Sequence, residues 1–290
     1  MIMPPLSSLE YDYVKNRIKD RFTQCAENGR KAFVAYIAAG DPDFEKSLAI
    51  VDALVSAGVD IIELGVPFSD PLADGEANQL AATRAIDSGM SAVKVLELAC
   101  EIRRKHEDLP LVLFTYLNPI AYSAELDFEK FCVESVKSGI DAMLLLDLPP
   151  EERNCEWAPG KSYDDSIKNA GLPLVALVAP TTSEERLPLL LESADAFVYY
   201  VSREGVTGEG DEFSAGFANS VKAIKRHTNI PVVVGFGIST PDHVRAASST
   251  GVDGVVVGSA IVRRVEAYAK GEATLDDLEK FVLSMTLATN

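Results

Sequence analysis

Eight short apolar runs recur along this chain, and each is followed by a stretch of helical periodicity. The runs cover residues 33–39, 59–65, 111–116, 142–148, 174–178, 196–201, 231–236 and 252–257. The helical stretches cover 44–57, 76–106 with a break near Ser88-Gly89, 128–138, 165–170, 183–192, 214–227, 241–249, 260–269 and 275–288. Alternation of strand and helix implies a parallel sheet with crossover helices. Eight units in 290 residues predict an α/β fold, a closed (β/α)8 TIM barrel in a single domain over 1–290. An open doubly wound sheet is the structural alternative. Residues 4–28 read as a polar amphipathic helix carrying Leu9, Tyr13, Ile18 and Phe22, so 1–30 is expected to pack on the barrel. The triplets Gly58-Val59-Asp60, Gly139-Ile140-Asp141 and Gly251-Val252-Asp253 repeat one pattern, a glycine that ends a helix just before a strand.

In such barrels the chemistry sits at the C-terminal ends of the strands. The second strand carries a glutamate there, Glu63, and Asp74 follows eleven residues later in a loop with two prolines. Strand alternation sets Ile62 and Leu64 toward the helices and aims Glu63 into the barrel mouth. Two acids from one strand–loop unit suit acid–base chemistry, because a carboxylate near a buried strand end is costly without a role or a partner. A buried pair for Glu63 and an ordinary turn role for Asp74 remain the alternative on spacing alone. The aromatic residues Phe33, Tyr36, Phe114, Tyr116, Tyr199 and Phe236 lie in or beside the same strands and could form an apolar wall. Tyr116 and Tyr199 stand out, since a phenol near a strand end needs a polar partner.

The net charge of −17 argues against a nucleic acid or an anionic membrane as partner. It also repels a phosphorylated substrate, which local dipoles must then hold. Glycine turns follow strands six to eight: Gly205-Val206-Thr207-Gly208, Gly235-Phe236-Gly237 and Gly258-Ser259-Ala260. Backbone amides in such turns, and a helix N-terminus behind one, can bind phosphate without cationic side chains. No lysine ends a strand, which disfavours Schiff-base chemistry, and His106, His227 and His243 all lie away from strand ends, which disfavours a histidine-bound metal. No strand–GxGxxG–helix unit is present for a dinucleotide. Cys25, Cys100, Cys132 and Cys155 are widely spaced and read as reduced thiols of a cytoplasmic protein. The N-terminus lacks the apolar centre of a signal peptide, and every apolar run is too short to span a bilayer.

The segments ELGVPFSDPLADG, Gly40-Asp41-Pro42, Tyr116-Leu117-Asn118-Pro119, Asp147-Leu148-Pro149, SREGVTG, VGFGIS and VGSAIV together resemble the alpha subunit of tryptophan synthase, over the barrel from Phe33 to the last helix. The resemblance implies a lyase that cleaves indole-3-glycerol phosphate to indole and glyceraldehyde 3-phosphate in tryptophan biosynthesis. Glu63 would be its acid–base group and Asp74 the acceptor of the indole N–H. It further implies a substrate site with Tyr199, Thr207 and Phe236, which Tyr36 and Tyr116 of the expected apolar wall would join, and a phosphate cradle of Gly208, Gly237, Gly258 and Ser259. Residues 203–217 would be a mobile lid closing through Thr207 over Asp74. Asp70 would face a beta subunit in an α2β2 complex, and pyridoxal phosphate would belong to that partner, with no cofactor in this chain. Two departures accompany the likeness: Glu76 adds a charge beside Asp74 that is expected to raise its pKa, and residues 151–166 are longer than usual. A phosphosugar isomerase barrel, or a non-catalytic barrel that only activates a beta subunit, would be the competing readings.

Overall fold

The computed structural model describes residues 16–123, 125–192, 194–201, 211–235 and 237–290. Eight parallel strands form the barrel: β1 (Ala32–Ala38), β2 (Ile61–Gly65), β3 (Leu111–Thr115), β4 (Ala142–Leu145), β5 (Ala176–Val178), β6 (Val198–Val201), β7 (Val232–Gly235) and β8 (Gly254–Val257). They hydrogen-bond in the order β4-β3-β2-β1-β8-β7-β6-β5. A single bridge, Met143 to Leu174, joins β4 to the start of β5 and completes the ring. Its bonds are Met143 N–H to the Pro173 carbonyl (2.8 Å) and Val175 N–H to the Met143 carbonyl (2.9 Å). The closed barrel is therefore the architecture, and the open sheet is excluded.

The pleat divides the apolar residues between two cores. Ala32, Val34, Ile61, Val112, Ala142, Leu144, Val175, Val233 and Val256 fill the barrel interior. Ile62, Leu64, Leu111, Leu113, Val232 and Val255 point outward against the helices. Phe33 also belongs to this outer core, so it is no part of the mouth wall: its place in the strand puts it on the helix-facing side. The helix Arg17–Glu27 closes the bottom of the ring with Ile18, Phe22 and Cys25, and the rings of Phe22 and Phe197 lie 5.9 Å apart.

Local chemistry sets the helix boundaries. Asp43, Ser91, Asp127 and Thr240 each accept a backbone N–H in the first turn of the helix they precede, and Thr274 and Asp277 form a reciprocal capping box. Such a cap stabilises a helix by about 1 kcal/mol. At the other ends Gly58, Gly139 and Gly251 adopt φ of 82°, 87° and 89°, the left-handed turn that only glycine takes freely.

The aspartates of the same triplets carry a second, structural function. Asp60 accepts the Phe33 amide (2.9 Å), Asp141 the Leu111 amide (2.8 Å) and Asp253 the Val232 amide (2.7 Å). Each also binds a cation: Arg30 on Asp60, Arg17 and Arg103 on Asp141, Lys225 on Asp253. Each carboxylate thus fastens the start of its strand to the start of the preceding one, for the pairs β1–β2, β3–β4 and β7–β8.

The stretch 76–106 is divided where expected, near Ser88-Gly89, into Glu76–Asp87 and Ala92–Lys105. Several other boundaries differ from the sequence expectation. After β4 the polar segment forms a short helix, Pro150–Arg153, then a two-stranded hairpin, Glu156–Ala158 with Lys161–Ser162, whose turn holds Pro159 and Gly160. Ser162 caps the next helix two residues earlier than expected, at Tyr163. The helix after β6 begins at Asp211, so the last part of the stretch expected to form a lid is helical, and 202–210 lie outside the described residues. Among the described residues no helix is long and apolar enough to cross a membrane.

Candidate active site

The mouth of the barrel gathers its polar groups around one buried acid. Glu63 is the third residue of β2, in register with Tyr36 of β1 and Val112 of β3. Its residue exposure is 0%, and neither carboxyl oxygen has a hydrogen-bond partner among the described residues. An ionised carboxylate cannot persist unpaired in such surroundings. Burial accordingly raises the Glu63 pKa to about 8, so the group holds its proton at neutral pH.

Two tyrosines cross the barrel close to it. A Cβ built on Gly65 would lie 2.4 Å from the Tyr36 hydroxyl, and one built on Gly235 would lie 2.1 Å from the Tyr199 hydroxyl. Each ring therefore occupies space that only a glycine on a neighbouring strand leaves open. Tyr36 also packs edge-on to Phe114, with centroids 4.9 Å apart. Both phenols are raised well above their usual pKa, first by burial and then by the negative charges of Asp74 and Glu63. The two acids thus act on the same pair of hydroxyls.

Asp74 is placed by the loop before the helix Glu76–Asp87. Tyr116, just past β3, donates its hydroxyl to one Asp74 oxygen at 2.8 Å and accepts the Ala73 amide at 2.9 Å. Asn78 Nδ2 donates to the other Asp74 oxygen at 3.2 Å. Gln79 Nε2 donates to the Asp74 carbonyl at 2.9 Å, and Asp147 holds the Tyr116 turn by accepting the Leu117 amide at 2.7 Å. Burial raises the Asp74 pKa, against the opposing pull of the Tyr116 and Asn78 bonds. The expectation that Glu76 raises it is corrected: Glu76 is the exposed first residue of the helix, and desolvation is the cause.

A second constraint holds this helix from its far end. Arg84 binds the buried Asp41 through two bonds of 2.7 and 2.8 Å. Sequence reading missed this pair, because its partners lie 43 residues apart. It also missed Asn78, although the four-residue spacing from Asp74 at a helix start was a usable signal.

After β8, the neighbour of β1, Gly258 is the N-cap of the helix Ser259–Ala269, and no side chain caps that terminus. Gly237 follows β7 with φ of 70°, exposed. Uncapped amides at a helix start suit an anion. Thr207, Gly208 and Phe236 lie outside the described residues. Asp70 is exposed on the loop that carries Asp74, next to Leu72, which is 84% exposed. A cleft of about 300 Å³ opens where β4 and β5 diverge, lined by Leu146, Asp147, Val175, Leu177 and Arg153 among others. Among the described residues no group of three His, Cys, Asp or Glu side chains is placed to hold a metal ion.

Sequence and structure comparisons place these features among known proteins. A family model described as the tryptophan synthase alpha chain matches residues 22–290. The chain is 45% identical over 247 residues to the tryptophan synthase alpha chain of Opitutus terrae, covering 85% of this chain and 88% of that one. It is similar to the tryptophan synthase alpha chain of Legionella pneumophila, with TM-score 0.82 and 32% identity over 95% of this chain and 98% of that chain. A chain in a tryptophan synthase structure from M. tuberculosis, in an aminoacrylate-bound form, gives TM-score 0.79 and 28% identity over 94% of this chain and 99% of that chain.

Proposed function

The chain belongs to the tryptophan synthase alpha-chain family, and from that premise we propose that Glu63 and Asp74 divide the proton handling of its reaction between them. The reaction is the alpha reaction of tryptophan biosynthesis, cleavage of indole-3-glycerol phosphate to indole and glyceraldehyde 3-phosphate. One observation carries the division of labour: Glu63 is wholly buried, unpartnered and protonated at neutral pH, whereas both oxygens of Asp74 accept hydrogen bonds that favour its anion.

Glu63 gives its proton to C3 of the indole. The ring becomes a cationic indolenine, and Asp74, accepting the ring N–H, stabilises that charge. The glycerol hydroxyl next to the ring then gives its proton to the Glu63 carboxylate. The C–C bond breaks as the aldehyde forms, and its electron pair returns to the ring and restores indole. Glu63 ends the cycle protonated, as it began. A positioned acid–base group of this kind accelerates a reaction by about 10²–10⁴-fold.

Tyr36, Tyr199, Phe236 and Tyr116 flank the ring in this reading. The phosphate rests on the amides around Gly208, Gly237, Gly258 and Ser259, so an acidic protein binds it through dipoles. Residues 203–217 act as the lid, closing through Thr207 over Asp74. Both proton transfers use this chain's own carboxyl groups, and pyridoxal phosphate is assigned to the partner alone. That partner is a tryptophan synthase beta subunit in an α2β2 complex, met through the face carrying Asp70 and Leu72.

Indole release from indole-3-glycerol phosphate, measured with and without a beta subunit, tests the reading. Glu63→Gln is expected to abolish release while leaving the fold intact. Near-normal indole production by that variant would sink the assignment.

A further inference from the structure

Asn78 occupies the third position of the helix Glu76–Asp87, one turn beyond Asp74. Its Nδ2 donates to the Asp74 carboxylate, and its own amide is bound to the Gly75 carbonyl at 3.0 Å. Charge fixes the orientation of the side-chain amide, since the opposite one would set its oxygen against a carboxylate oxygen. The far end of the group is then costly. Asn78 Oδ1 is buried and has no hydrogen-bond partner among the described residues.

A leucine has the same branched skeleton with no orphaned acceptor. Packing alone therefore disfavours asparagine here, and the feature that only asparagine supplies is the bond to Asp74. From this we infer that Asn78 is a positioning residue for the alpha reaction, holding the Asp74 carboxylate in its ionised form and aimed at the ring nitrogen, in company with Tyr116. The inference rests on the role assigned to Asp74 above. Tyr116 fixes one oxygen from the β3 side and Asn78 fixes the other from the helix, so the carboxylate cannot rotate about its own axis without losing one of them.

The groups facing Asp74 are few. They are the hydroxyls of Tyr36, Tyr116 and Tyr199, with Glu63 facing Tyr36 and Tyr199 from β2. No cation among the described residues moves its titration. The anion of Asp74 thus depends on neutral donors, and removing one shifts its protonation upward.

The test uses the full chain with its beta subunit and follows indole release against pH for Asn78→Leu and Asn78→Ala. The acid limb of kcat/KM is expected to move up by about one pH unit in both variants. Asn78→Leu is expected to melt at the wild-type temperature or above it. An acid limb in the wild-type position for both variants would overturn the inference, and a lowered melting point beside that unmoved limb would make Asn78 a packing residue. Asp74→Asn is the control. If it retains wild-type turnover and limb, the role given to Asp74 fails, and this inference fails with it. If it is inactive while both Asn78 variants keep the wild-type limb, only this inference fails.

Discussion

Glu63 carries a cost that the fold bears in one direction of pH. Its pKa is about 8 in the folded chain, against 4.5 for an ordinary glutamate. Below 4.5 it is protonated in both states and exacts nothing. Between 4.5 and 8 the unfolded chain gives up the proton and the folded chain keeps it, so stability falls as pH rises through that window. At about 1.4 kcal/mol per pH unit, the full loss is on the order of 4–5 kcal/mol. Glu63→Gln has no charge to bury. The expected outcome is a variant whose gain in unfolding free energy over wild type grows from pH 5 to pH 9, read from urea titrations at both. A constant difference would mean that Glu63 leaves its buried position when it ionises. The identity of this residue was legible in the sequence, because an acid at the far end of an apolar strand is rare. Its isolation was not, since that depends on where the phenols of Tyr36 on β1 and Tyr199 on β6 come to lie.

At the scale of elements, the three strand-base aspartates behave differently because their burial differs. Asp141 and its partners Arg103 and Arg17 are 7%, 12% and 20% exposed, whereas Asp253 and Lys225 are each about a third exposed. Asp141→Ala leaves the Leu111 amide without its acceptor and removes the counter-charge of Arg103 and Arg17, which keep only carbonyl partners in a mostly dry site, a loss of about 3 kcal/mol. Asp253→Ala is expected to cost about 1 kcal/mol, because solvent screens its pair. Denaturant midpoints for the two variants check this ranking, and equal shifts would refute it. Strand and helix existence was legible throughout, because periods of two and of three to four residues show plainly in an apolar-rich chain. Ends were less so. The run 142–148 was expected to be all strand, yet β4 stops at Leu145, and Asp147 turns aside to accept the Leu117 amide. The hairpin of 156–162 escaped notice because its strands are short, polar and held mainly by Trp157, which packs on Phe128 and donates to Ser166.

For the whole molecule, a net charge of −17 opposes a doubly negative substrate before any contact is made. A site that holds phosphate through amides has no compensating cationic field. Screening should then help binding: KM for indole-3-glycerol phosphate is expected to fall as potassium chloride rises from about 10 to about 150 mM, where the screening length shortens to about 8 Å. A KM that rises with salt would mean that cationic side chains guide the substrate. The (β/α)8 plan itself was legible because eight strand–helix units leave little else at this length. The place where the ring closes was not, since no residue pattern marks a seam.

That seam gives the barrel a clasp. Seven of its eight joints are continuous ladders, while β4 and β5 meet through one bridge, and the hairpin of 156–162 lies in the chain between them. Topologically the molecule is two four-stranded arcs sharing a long hinge between β1 and β8 and a single stitch on the far side. Thermal breathing that widens the ring has the fewest bonds to break at that stitch, beside the cleft that opens at the mouth. The barrel is closed in shape, but in the order of its failure it is an open sheet held shut.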